Sequence, residues 1–197
     1  MNLRPLAGRT IAVPEGRELE LFAGLLERRG ASVLRCPLIA IRDAPDPAPV
    51  LDFARRFAHG ACDDLIITTG EGLRRLLACI DNHDPALRLP FLDALAQVRK
   101  ITRGPKPARA LRELGLQPDL AAEVPTTEGI ITSLGRQALT GRRIGVQLYG
   151  SDPNRPLIDF LESAGASVWR VCPAVSASCA SALIRRCTSS VISAPST

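Results

Sequence analysis

Gly8–Pro37 reads GRTIAVPEGRELELFAGLLERRGASVLRCP and Gly141–Pro173 reads GRRIGVQLYGSDPNRPLIDFLESAGASVWRVCP. Both stretches open with Gly-Arg-x-Ile-x-Val and close with Gly-Ala-Ser-Val and a Cys-Pro, so one unit occurs twice. In each copy a short apolar, β-branched run, Ile11 to Val13 or Ile144 to Leu148, is bounded by turn residues, the mark of a buried strand. Apolar residues three and four apart follow: Leu19, Phe22, Leu25 and Leu26 in the first copy, Leu157, Phe160 and Leu161 in the second. That spacing predicts a helix with one buried face. Gly30 and Gly165 stand where a residue at positive φ ends a helix, and Val33 or Val168 begins the next strand. A β-α-β unit requires parallel strands and a right-handed crossover.

Between the copies, strand and helix signals alternate. Leu38 to Asp43 reads as extended and leads into Ala44-Pro-Asp-Pro-Ala-Pro49, which is expected to exclude helix and to mark a boundary. Leu51 to Ala58 predicts a helix, Asp64 to Gly70 a strand ending in two hydroxyls and a glycine, and Glu71 to Ile80 a helix. Asn82 to Pro90 reads as a loop and Val98 to Thr102 as a strand. The helix Ala108 to Leu114 ends at Gly115, Leu120 to Val124 is extended, and Thr126 is the expected N-cap of a helix over Gly129 to Leu139. Such alternation implies α/β architecture, with parallel sheets covered by helices.

Composition narrows the function classes. The chain has 197 residues, 46% of them hydrophobic, enough for a packed core. No apolar run reaches the length of a membrane span and the N-terminus lacks the apolar core of a signal peptide, so a cytoplasmic protein is expected. Six cysteines without C-x-x-C spacing or paired histidines indicate reduced thiols rather than a zinc site or disulfide framework. The net charge of +5 comes mostly from arginine, a residue suited to carboxylates and phosphates, but charge of this size does not by itself indicate a nucleic-acid binder. No Ser/His/Asp arrangement or glycine-rich phosphate fingerprint is present. His59 and His83 read as surface histidines, and Asp63 with Asp64 as a solvated strand entry.

The succession Gly8-Arg-Thr-Ile-Ala-Val-Pro14, Leu26-Glu-Arg-Arg-Gly-Ala31, Ile67-Thr-Thr-Gly70, Gly104 before Leu111-Arg-Glu-Leu-Gly-Leu116, Pro125-Thr-Thr-Glu-Gly129, and Leu148-Tyr-Gly150 with Arg155-Pro-Leu157 resembles the uroporphyrinogen-III synthase family. The resemblance runs over about residues 8 to 173, and it rests on order and spacing rather than on any one motif. It implies a two-lobed molecule, each lobe a parallel sheet flanked by helices. Residues 1–40 with 174–197 would form a discontinuous first lobe, incomplete here, and residues 44–171 the second. Two extended strands, Leu38 to Asp43 and Val171 to Val175, would join them, with substrate in the cleft. From Ala174 the sequence changes character, with seven serines and no acidic residue, and reads as a frameshifted or truncated end; a flexible tail is the alternative.

The resemblance further implies a lyase of tetrapyrrole biosynthesis, closing hydroxymethylbilane to uroporphyrinogen III with inversion of ring D and loss of water. It implies no metal and no organic cofactor, a small-molecule polycarboxylate as partner, no membrane, and a monomer. The alternatives are the synthase-like sensory part of a bacterial transcriptional regulator, where nucleic acid would enter only through a DNA-binding domain that has been lost, or an inactive fragment. Substrate-binding residues are expected at strand ends and helix starts, where backbone N–H groups face a crevice: Thr68, Thr69, Gly70, Arg103, Lys106, Thr127, Tyr149, Gly150 and Arg155, beside Gly104 and Thr126. The catalytic residue is not assigned. Val13 stands where the family commonly has arginine, and Ala174 where it has tyrosine on the return strand.

Overall fold

The computed structural model describes residues 4–14, 16, 18–150 and 152–178. The expectation of a truncated or frameshifted end from Ala174 lies, from residue 179 on, outside the described residues. The chain divides into two compact units, one running up to Arg42 and resuming at Ser176, the other spanning Asp43–Val175.

The first unit holds one β-α-β: β1 (Thr10–Val13), α1 (Leu19–Arg28) and β2 (Ser32–Arg35), with β1 and β2 parallel and Thr10 opposite Ser32. Gly30 turns the chain out of α1 at φ +92°, a conformation that only glycine adopts freely. Arg35 donates to Glu20 at 3.1 Å and to Glu27 at 2.8 Å, tying β2 to the polar side of the helix. The apolar face expected on α1 is not buried among the described residues. Only Ala23 is enclosed, while Leu21, Phe22 and Leu25 are 61%, 47% and 43% exposed, because two short strands cover little of a ten-residue helix.

β3 (Ile39–Asp43) pairs with β9 (Ala174–Ser178), and the division between the units falls within both strands. The return strand therefore begins three residues later than Val171, at Ala174, where the sequence changes character; backbone pairing does not need the side-chain pattern that is missing there.

The second unit contains a five-stranded sheet in the order β6-β5-β4-β7-β8, parallel throughout. Its strands are β4 (Asp64–Ile67), β5 (Arg99–Thr102), β6 (Leu120–Ala121), β7 (Arg143–Gln147) and β8 (Ser167–Val171). Among the described residues six α-helices join and cover them: α2 (Ala48–Ala58), α3 (Gly70–His83), α4 (Arg88–Gln97), α5 (Pro105–Arg112), α6 (Thr127–Leu134) and α7 (Arg155–Ser163). Side chains alternate across β4. Leu65 and Ile67 join Phe53, Phe57, Leu73, Leu76, Phe91 and Leu111 from α2 to α5 on one face. Ile66 joins Ile101, Ile144 and Val146 with Ile130 of α6 and Leu157 and Leu161 of α7 on the other. Each fully buried Leu, Ile or Phe in these layers stabilises the fold by roughly 1.5–3 kcal/mol. Gly145 lets α2 lie directly on β7, since a Cβ there would meet Phe53, Leu65 and Cys62 at 3.1–3.2 Å.

Two sequence expectations fail on proline. The run Ala44–Pro49 does not exclude helix to its end: α2 starts at Ala48, with Pro49 in its first turn. Residues 82 to 90 are not a loop: α3 continues to His83, a 3-10 turn covers Pro85–Leu87, and Pro90 lies in the first turn of α4. The first-turn N–H groups of a helix have no partner within it, so proline there removes no hydrogen bond. Among the described residues no helix is long and apolar enough to cross a membrane.

Candidate functional site at the carboxyl edge of the sheet

The strands of the large sheet, counted by their own sequence order, run 3-2-1-4-5, so the winding reverses between β4 and β7. β4 sends its chain to α3 on one face and β7 sends its chain to α7 on the other. Helices leaving in opposite directions mark a topological switch point, and beyond the carboxyl ends at such a point is where open α/β sheets generally receive ligands.

The residues expected at the site all follow strand ends on this edge. After β4, Thr68 is 3% exposed and its hydroxyl donates to the Gln147 carbonyl at 2.8 Å, so it fastens β4 to β7. Thr69 caps α3, accepting from the Gly72 N–H at 3.0 Å in an extended conformation. Gly70 allows α3 to start against α5: a Cβ there would come to 2.7 Å from the Lys106 carbonyl. After β5, Arg103 is half-buried, with its N–H donating to the Ile67 carbonyl at 3.2 Å, and Lys106 is exposed in the first turn of α5. Gly104 brings that turn against the segment ahead of α6, since a Cβ would lie 2.7 Å from the Pro125 Cβ.

Thr126 caps α6, accepting from Gly129 at 3.1 Å. Thr127 donates to the Asn154 carboxamide at 3.2 Å, linking the starts of α6 and α7. Tyr149 is half-buried after β7, Gly150 turns at φ +65°, and Arg155 is exposed at the first position of α7. The contacts join neighbours along the edge: α5 to the segment before α6, α3 to α5, β4 to β7, and α6 to α7. Arg103, Lys106 and Arg155 make no ion pair among the described residues. Acidic groups on the same side are partly engaged: Glu71 binds Arg75 at 2.9 Å and Asp152 accepts from the Asn154 N–H at 2.9 Å, while Glu128 is exposed.

Sequence reasoning missed two residues here. Gln147 is fully buried, and its carboxamide accepts from the Thr69 N–H at 3.2 Å. Asn154, 9% exposed, holds a left-handed conformation at φ 47° that starts α7. A polar residue closing an otherwise apolar strand, Ile-Gly-Val-Gln, was the available signal for the first; an asparagine before Arg-Pro was the signal for the second.

The amino edge is chemically different. Asp64 is not the solvated strand entry expected of it but fully buried, held by two Arg142 nitrogens, one at 2.8 Å, with Arg99 at 3.7 Å. Arg142 lies 78 residues away in sequence, which hides the pairing from any local reading. Asp63 pairs with Arg143 at 2.6 Å, and that hydrogen bond holds its carboxyl at about 2. An open hollow of about 920 Å³ on this edge is lined by Phe57, Cys62, Asp63, Val98 and Arg142. Asp63 and Arg142 are already paired there and burial pushes the Cys62 thiol up to about 11, leaving little that could act on a ligand. His59 and His83 are exposed at helix ends on this same edge. Cys36, Cys62, Cys79 and Cys172 are free thiols, and no cluster of metal-ligating side chains occurs among the described residues.

Fold and edge together define an α/β protein with a doubly wound sheet whose winding reverses between β4 and β7. The family model described as uroporphyrinogen-III synthase HemD matches residues 20–173, and the chain belongs to that family. Uncharacterized protein YjjA of Bacillus subtilis (strain 168) is 33% identical over 168 residues, covering 85% of this chain and 61% of the relative. Uroporphyrinogen III synthase from the extremely thermophilic bacterium Thermus thermophilus is similar in structure. A mutant form of it gives a TM-score of 0.68 at 29% identity, over 87% of this chain and 64% of that one. The wild type in a second crystal form gives 0.61 at 31% identity, over 87% and 63%. The chain thus spans a little over three-fifths of the length of these relatives.

Proposed function

We propose that this chain acts as a uroporphyrinogen-III synthase, closing the linear tetrapyrrole hydroxymethylbilane to uroporphyrinogen III. Loss of hydroxide from the terminal hydroxymethyl group leaves an azafulvene, and the last pyrrole attacks it through the carbon that already carries its link to the chain, giving a spiro intermediate. That older link then breaks and the chain re-closes onto the ring's free α-carbon, which loses a proton, so the ring is inverted and hydroxide and proton leave as water. The observation that carries this reading is the carboxyl edge: in a chain of this family it gathers helix-start N–H groups, threonine hydroxyls and three basic side chains without acidic partners among the described residues.

Acetate and propionate side chains of the bilane would pair with Arg103, Lys106 and Arg155, charge-assisted contacts that also fix orientation. The Thr69 hydroxyl and the N–H groups opening α3 and α6, that of Thr127 among them, would take further carboxylate oxygens. Thr68, Gly70 and Gly150 keep backbone close to the ligand, and Tyr149 flanks it. No covalent bond to the protein is needed, because holding a flexible polycarboxylate with its ends in reach removes much of the entropic barrier. The test is to add freshly made hydroxymethylbilane and separate the products. Isomer III above the spontaneous background is the expected result, and isomer I alone would sink the reading.

A further inference from the structure

The carboxamide of Gln147 is a buried side-chain amide at the junction of β4 and β7, and both of its polar atoms are engaged. Its Oε1 accepts from the Thr69 N–H at 3.2 Å and its Nε2 donates to the Leu148 carbonyl. Its backbone carbonyl receives the Thr68 hydroxyl at 2.8 Å and the Thr68 N–H at 3.4 Å. The residue stands opposite Ile67 in the register, at the last rung before the two strands part. Room for it is provided by Gly72, where a Cβ would overlap the carboxamide. A glycine inside a helix is less favourable than alanine, and here that cost leaves space for one side chain.

We propose that Gln147 is a positioning residue, whose buried carboxamide clamps the Thr68–Gly70 and Leu148–Gly150 turns into the one arrangement that a ligand at the switch point meets. The geometry stands without any assumption about the ligand; the expected effect on turnover rests on the synthase reading above. One carboxamide fixes both turns because it accepts from the first and donates to the second. An apolar side chain of the same volume fills the space and holds neither.

Gln147→Met tests this, read out by amide hydrogen exchange, by fluorescence titration with uroporphyrin III, the oxidised coloured form of the proposed product, and by the steady-state constants for hydroxymethylbilane. Loss of one buried hydrogen bond predicts roughly tenfold faster exchange at the Thr69 amide, with Ile66 and Ile144 unchanged. Dissociation constant and KM should each rise about tenfold while kcat moves less than about threefold. Gln147→Glu keeps an acceptor facing Thr69 and should restore its protection. Gly72→Ala should reproduce the Met phenotype, and combining it with Gln147→Ala should cost less than the two single changes added, since the added methyl then has room. Should either single variant fail to fold, recovery in the double variant still decides the point. Exchange that rises uniformly over the sheet, an unchanged Thr69 amide, or strict additivity of the pair would each overturn the clamp. A wild-type protein that forms only isomer I would overturn the synthase reading, while exchange and additivity still decide the clamp.

Discussion

Thr102 closes β5 with a hydroxyl that is fully buried and, among the described residues, the one buried side-chain polar atom without a partner. Burying such a group unpaired is unfavourable, so Thr102→Val should raise stability by about 1 kcal/mol in urea unfolding. A loss instead would reveal a partner, such as an enclosed water. Asp63 gives a pH signature. Its carboxyl, paired with Arg143, is held at about 2, below the ordinary value of about 3.9. As pH falls, the unfolded chain takes up the proton first, so the pair's contribution is whole above about pH 4. It drains away as pH drops through about 2. Asp63→Asn should flatten the pH dependence of the urea midpoint across that window; an unchanged slope would assign the acid sensitivity to other carboxylates.

At the scale of elements, two helix starts are closed by threonine. Thr69 and Thr126 each accept the N–H three residues on, at the starts of α3 and α6. Thr126→Ala should cost about 1 kcal/mol in thermal unfolding and Thr126→Asn much less, because asparagine supplies the same acceptor. An equal loss in both would place the contribution of Thr126 somewhere other than the cap. The duplicated β-α-β shows what an element gains from its surroundings. Leu157 and Leu161 of α7 are both 0% exposed, whereas at the corresponding positions of α1 Phe22 is 47% exposed and Leu26 only half-buried. One pattern of sequence gives one helix twice, and burial depends on what lies against it.

At the scale of the molecule, charge is sorted between the two edges of the large sheet. The amino edge consumes Arg99, Arg142 and Arg143 in pairs with Asp63 and Asp64, while the carboxyl edge leaves Arg103, Lys106 and Arg155 unpaired among the described residues. If the bilane's carboxylates lie there, Arg103→Ala and Lys106→Ala should each raise its KM about five- to tenfold with stability unchanged, and both should make KM less sensitive to salt. An unaltered KM in both would move the substrate elsewhere. Asp64→Ala, at the other edge, should destabilise by about 2–3 kcal/mol by stranding Arg142, and leave the KM of the remaining folded protein as it was. A wild-type urea midpoint in that variant would show that Arg142 finds solvent without help.

The sequence alone determined the α/β class, the β-α-β repeat, the turn glycines at 30, 115 and 165, and the Thr126 cap, because strand runs, helix spacing and turn chemistry act between residues a few positions apart. It misjudged α4 and the start of α2, since proline is a breaker inside a helix and harmless in its first turn, and nothing local tells the two apart. It placed candidate ligand residues at strand ends, but it missed the burial of Asp64 and the role of Gln147. Only the tertiary structure decided those. A buried carboxylate needs Arg142 from across the sheet, and a carboxamide becomes a clamp only where the reversal of strand order sets β4 beside β7 and Gly72 leaves it room.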